Sequence, residues 1–144
     1  MGQQPELRFL FDMTVTMGEG IDLGRTPYGE IAFQHAIGGT VSGPRVQGEV
    51  LPVGGDKVVG RTDGTRELNV QAIIKTTDDH HILMSYRGLV RPTQSTDGKP
   101  GVYWRTAPLF ETAAEPYQWL NGVLAVGHGT FGDGQVNYQI YEVL

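Results

Sequence analysis

Residues 7–17 read Leu7-Arg8-Phe9-Leu10-Phe11-Asp12-Met13-Thr14-Val15-Thr16-Met17. In an extended chain Leu7, Phe9, Phe11, Met13, Val15 and Met17 share one face, while Arg8, Asp12, Thr14 and Thr16 take the other. A period of two with one apolar side belongs to a half-buried strand. The sequence that follows repeats the rhythm. Gly18 to Pro27 reads as a loop, Ile31 to Ile37 as a second strand broken by Gly38-Gly39, and Thr40 to Leu51 as a third. Pro52 to Asp56 is turn material. The 21 glycines and 8 prolines point to many tight turns rather than long helices.

Three Asp-Gly pairs punctuate the rest: Asp63-Gly64, Asp97-Gly98 and Asp133-Gly134. Asp-Gly suits the positive-φ positions of hairpin turns, so each predicts a junction between antiparallel neighbours. Around them lie apolar-alternating segments at 67–76, 82–90, 102–106, 123–129 and 135–143, and Asp78-Asp79-His80-His81 reads as a further turn. One segment departs from the rhythm. Thr112-Ala113-Ala114-Glu115 has capping-box spacing and is followed by Pro116 and Tyr117 to Asn121, which predicts one short helix near residues 113–121. The fold expected is all-β, an antiparallel β-barrel of roughly eight to ten strands in a single domain spanning 1–144, with a sandwich as the competing closure.

Composition narrows the function. The chain has 144 residues, long enough to bury a core, with 11 Lys and Arg against 16 Asp and Glu and a net charge of −5. No basic cluster interrupts that balance, so neither nucleic acid nor an anionic membrane surface is an expected partner. With no cysteine, disulfides, thiolate nucleophiles and sulfur-ligated metals are excluded. The N-terminus lacks the basic and apolar regions of a signal peptide, and no apolar run approaches membrane-spanning length, so a cytoplasmic protein is expected. Exposed strand edges allow a homo-oligomer, with a dimer as the simplest form.

The stretch from Val102 to Gly129, VYWRTAPLFETAAEPYQWLNGVLAVGHG, mixes aromatic residues, an arginine, a carboxylate and an amide in a way no generic core requires. It belongs to a wider pattern: residues 38–48 (GGTVSGPRVQG), 51–56 (LPVGGD), 61–64 (RTDG), Asp78-Asp79, 86–88 (YRG), 103–108 (YWRTAP), 110–112 (FET) and 117–121 (YQWLN). In this order and spacing the chain resembles uncharacterised protein family 0311, also described as domain of unknown function 3237, over most of its length. The resemblance implies a small β-barrel that forms homo-oligomers, and it assigns no activity. Two positions depart from it: His80 stands where family members usually have Gly, and Gln71 where many have Arg, which implies a less charged ligand here.

Several residues bear chemistry. Asp56, after Gly54-Gly55, is a candidate general base at a barrel rim, or else an Asp that bonds its own turn amides. Tyr103 and Arg105 are two apart and so share a face; inside a barrel they would hold a carboxylate or a developing enolate, or else Arg105 pairs with Glu111 or another acid as a structural bridge. Glu111 is a candidate acid/base group, or a carboxylate completing a helix N-terminus. Tyr86, in phase with Ile82 and Met84, is expected inside. Gln71 is a candidate wall residue, and Trp119 and Asn121 would form a cavity floor if the helix plugs the barrel. The histidines match no metal motif, with weak divalent binding at Asp78-Asp79-His80-His81 left open, and neither a metal nor a cofactor is expected. Gly18-Glu19-Gly20 followed by Gly24 lacks dinucleotide-fingerprint spacing, and no Gly-x-Ser-x-Gly elbow exists.

The leading expectation is a cofactor-independent enzyme of isomerase, cyclase or lyase type, moving a proton on an apolar carbonyl-containing metabolite in a barrel pocket. A non-catalytic ligand-binding barrel and a structural or assembly protein are the alternatives.

Overall fold

All three Asp-Gly pairs form hairpin turns between antiparallel neighbours, and Asp133 and Gly134 both adopt positive φ (54° and 73°). The computed structural model describes residues 2–144. Its strands are β1 (Leu7–Met17), β2 (Ile21–Thr26), β3 (Gly29–Ser42), β4 (Gln47–Val50), β5 (Gly55–Gly60), β6 (Arg66–Thr76), β7 (His81–Gln94), β8 (Pro100–Glu111), β9 (Ala125–Gly132) and β10 (Gln135–Val143). A 3-10 helix, Glu115–Gly122, lies between β8 and β9.

The ring runs β1–β10–β9–β8–β7–β6–β5–β3 and returns to β1, with every pairing antiparallel. It is a closed eight-stranded barrel with two extra strands. β4 bridges β3 and β6 beyond the end of β5, and β2 continues along β3 past the end of β1. Closure removes the open edges a sandwich would leave, except along β2, which pairs only with β3.

Four expectations are corrected. The segment 18–27 contains strand β2 and is not all loop. Gly38-Gly39 does not break β3. Gly39 sits so close to β1 that a Cβ would lie 2.1 Å from the Thr14 carbonyl oxygen, so crowding, not a turn, requires glycine there. Asp56 belongs to β5 rather than to the preceding turn. The helix is 3-10, and the capping box does not form: the Thr112 hydroxyl accepts the Ala114 N–H (3.1 Å) and donates to the His81 carbonyl (2.7 Å), tying the helix start to β7.

The one-face reading of residues 7–17 holds only from Phe11 onward. Phe9 pairs with Tyr141 and Phe11 with Ile140, so Leu10 is an extra bulged residue. A bulge shifts the alternation by one. Leu10 and Phe11 are both fully buried, Leu7 is exposed, and Phe9 packs edge-on against half-buried Tyr141 at 5.7 Å.

The interior divides into two halves. Around Phe11, Ile74, Ile82, Met84, Phe110 and Ile140 side chains fill the barrel, and Leu120 and Tyr117 of the 3-10 helix plug that end. Each fully buried apolar side chain of this kind contributes about 1.5–3 kcal/mol. The other half is hollow.

Candidate functional site

The hollow half follows from the pairing of strands. Gln34, Asp56, Val70, Tyr86 and Pro108 stand directly opposite one another along β3, β5, β6, β7 and β8, forming one row across the wall. Residues in such a row present side chains to the same face. Beyond it many inward positions are small or aliphatic, Val58, Leu68, Gly88 and Val90 among them, and the space is not filled. The result is a cavity of about 610 Å³, within the range of small-molecule sites. Valines are its most frequent lining residues, joined by Tyr86, Trp104 and Tyr138.

Asp56 is the buried carboxylate of this cavity, at 7% exposure. The Asn69 backbone N–H donates to its Oδ1 at 3.1 Å. Burial raises its pKa from 3.8 to about 6, opposed by that hydrogen bond and by the charge of Arg66. Arg66 lines the same cavity without an ion pair to Asp56. The Tyr86 and Tyr138 rings meet edge-on at 5.4 Å, and Trp104 stands edge-on to Tyr138 at 5.9 Å. Desolvation pushes the Tyr138 phenol up to about 12 and holds Tyr86 well above the usual phenol range. Both therefore remain protonated donors at neutral pH.

Of the residues expected at a site, the structure brings Asp56, Tyr86 and Gln71 to the cavity, Gln71 from the exposed parity of β6. Tyr103, Arg105, Glu111, Trp119 and Asn121 are not among its lining residues. The expected inward face of β8 is corrected by one position. Trp104, Thr106, Pro108 and Phe110 turn inward, so Tyr103 and Arg105 lie outside. There Tyr103 is flanked by the guanidinium groups of Arg91 (4.3 Å) and Arg105 (4.8 Å), and Arg105 donates to the Trp104 carbonyl rather than pairing with Glu111. Glu111 is exposed at the end of β8. Trp119 and Asn121 belong to the plugged end. Arg45 stacks on Trp119 at 4.5 Å, while Asn121 accepts the Thr112 N–H (2.8 Å) and donates to the Thr112 carbonyl (2.9 Å), pinning the helix to β8.

Gln34, Arg66, Trp104 and Tyr138 were not anticipated. Tyr138 was legible, since it alternates with Val136 and Ile140. Trp104 had a subtler signal in Gly127 and Gly129, which face it and its neighbour Thr106. A Cβ on Gly129 would lie 2.7 Å from the Trp104 ring, and one on Gly127 2.3 Å from the Thr106 hydroxyl. Nothing local marks Gln34 or Arg66.

Asp78 accepts a hydrogen bond from the Tyr117 hydroxyl at 2.7 Å, and the His80 ring stacks edge-on against Tyr117. Among the described residues no group of three or more His, Cys, Asp or Glu side chains converges as a metal site, and no helix is long and apolar enough to cross a membrane.

Known proteins are similar to this chain in sequence and in fold. A UPF0311 protein of Rhodopseudomonas palustris is 28% identical over 149 residues, covering 96% of this chain and 97% of its own. The crystal structure of a conserved protein of unknown function from that organism superposes with a TM-score of 0.88 at 27% identity, covering 99% and 100% of the two chains. The "Hydroalkoxylation enzyme phnH" of Penicillium herquei is 32% identical over 124 residues, covering 85% of this chain and 73% of the enzyme. The crystal structure of an enzyme from Penicillium herquei superposes over both full chains with a TM-score of 0.77 at 26% identity. The family model described as "Protein of unknown function (DUF3237)" matches residues 5–143, and the chain belongs to that family.

Proposed function

We propose that this protein is a cofactor-independent enzyme that adds a hydroxyl group across a carbon–carbon double bond conjugated to a carbonyl, within one apolar molecule. The observation that carries this reading is Asp56, a carboxyl group buried in the wall of a largely apolar cavity, where burial raises its pKa to about 6. A group so poised exchanges protons in both directions near neutral pH. The similarity to a hydroalkoxylation enzyme supports the same reaction class.

The step balances without a co-reactant. Ionised Asp56 takes the proton of the substrate hydroxyl as its oxygen bonds to the β-carbon, and the double bond becomes an enolate. The enolate oxygen accepts hydrogen bonds from the Tyr86 and Tyr138 phenols, which stay protonated through the reaction. Protonated Asp56 then returns its proton to the α-carbon, giving a cyclic ether of unchanged mass. The apolar wall excludes water and holds the two ends of the molecule together.

The test uses 2′-hydroxychalcone, whose ring closure to flavanone is visible by absorbance. Expected are a rate above background, one product enantiomer in excess and, in heavy water, one deuterium on the carbon beside the carbonyl. Asp56→Asn should reduce the rate to background. A racemic product at the background rate, together with saturable binding of unchanged chalcone, would replace this reading by that of a ligand-binding barrel.

A further inference from the structure

Arg66 occupies the inward phase of β6, in step with Leu68, Val70 and Ala72, and lines the cavity from its exposed end. Its paired neighbours Gly60 and Val90 offer it no acceptor side chain. Glu67 belongs to the opposite parity and is engaged by Arg61 (3.7 Å) and Arg87 (3.9 Å). Glu30, in the same row across Gly60, forms no ion pair with Arg66, nor does Asp56, the carboxylate within the cavity. An arginine at the mouth of an apolar cavity, with no acid holding it, is a cation available to a ligand. The two ends of the cavity then differ in sign, with a proton-exchanging carboxyl inside and a fixed positive charge at the rim.

We propose that Arg66 selects the substrate class: an apolar, ring-sized molecule that ends in an anionic group, a carboxylate or an ionised phenol, held at the mouth while its reacting part reaches Asp56. This rests on the reading that the cavity takes an organic substrate, and it adds the charge and the direction of entry. A guanidinium offers a planar fork of N–H donors matched to two anionic oxygens, and Arg66 is exposed at the open end of the cavity, where a ligand can reach it. Arg66 is the one arginine or lysine among the residues lining the cavity, so a fixed positive charge there falls to this group.

The test is calorimetric titration with two probes of one shape, 2-naphthoate and 2-naphthamide, at neutral pH. The wild-type protein is expected to bind the naphthoate about 10-fold more tightly than the amide, with the advantage shrinking as salt is added. Arg66→Gln should bring the two affinities together with the amide unchanged, and Arg66→Lys should restore part of the preference. Equal affinities in the wild type, or a preference that survives in Arg66→Gln, would overturn the proposal and leave the Asp56 chemistry standing. Failure of both probes to bind would overturn it together with the cavity reading. Asp56→Asn separates the two claims, since it should abolish chalcone turnover and keep the naphthoate preference.

Discussion

Tyr138 meets Tyr86 edge-on, ring centroids 5.4 Å apart and planes inclined at 71°, and the two phenols share the wall of the cavity with Asp56. The ionised carboxyl discourages a second negative charge nearby, which adds to desolvation in keeping both phenols protonated.

Tyr138→Phe keeps the ring packing and removes one donor, so the fold should persist. Turnover of 2′-hydroxychalcone is expected to fall about 100-fold, with affinity for the substrate little changed. Steady-state kinetics check this. A variant with wild-type turnover would remove Tyr138 from the reaction.

Asp56 should make the protein less stable as pH rises. Its folded pKa of about 6 lies above the unfolded value of 3.8, so the folded state binds the proton more tightly. Ionising it therefore costs nothing below pH 3.8, takes stability away progressively up to about pH 6, and leaves a constant penalty of about 3 kcal/mol above that. Asp56→Asn should escape the penalty. Urea unfolding should show a gain over wild type at pH 8 that is absent near pH 3.5, even as activity is lost.

Glu142 works in the opposite direction. It is buried and accepts hydrogen bonds from Arg8 and Arg45, both at 2.5 Å. Burial alone would raise its pKa, but the two guanidinium groups together hold it below the usual carboxylate value of 4.5. Its contribution is therefore present above pH 4.5 and lost as pH falls below it. Glu142→Gln should cost about 1–3 kcal/mol at neutral pH, and the difference from wild type should narrow on acidification, as read by denaturant unfolding.

Gly129→Ala places a methyl group 2.7 Å from the Trp104 ring. The indole must move, and the expected outcome is a shifted tryptophan emission and a several-fold loss of naphthamide affinity. Gly132→Ala on the same strand meets nothing within 4 Å and serves as the control.

Leu120→Ala opens a hole in the plugged end, where Leu120 is fully buried. A loss of about 2–5 kcal/mol is expected in thermal or denaturant unfolding. Because the site lies in the other half of the barrel, the naphthoate-to-naphthamide preference should not change.

What the sequence determined by itself was the kind of structure: strands from the period of two, hairpins from Asp-Gly, one short helix near residues 113–121, and family membership from the order of short motifs. These are local properties, set by backbone conformation at a few adjacent residues. It also brought Asp56 and Tyr86 forward as residues with chemistry to offer. Tertiary structure alone decided which way each strand faces. Alternation says that Tyr103 and Arg105 share a side, but not whether that side is the interior; the phase is set by pairing with neighbours remote in sequence, and it put Trp104 inside. The bulge at Leu10 changed the parity of β1 for the same reason. The meeting of Gln34, Asp56 and Tyr86 in one row, with Arg66 at the rim, depends on the register of β3, β5, β6 and β7 together, which no single stretch of chain encodes.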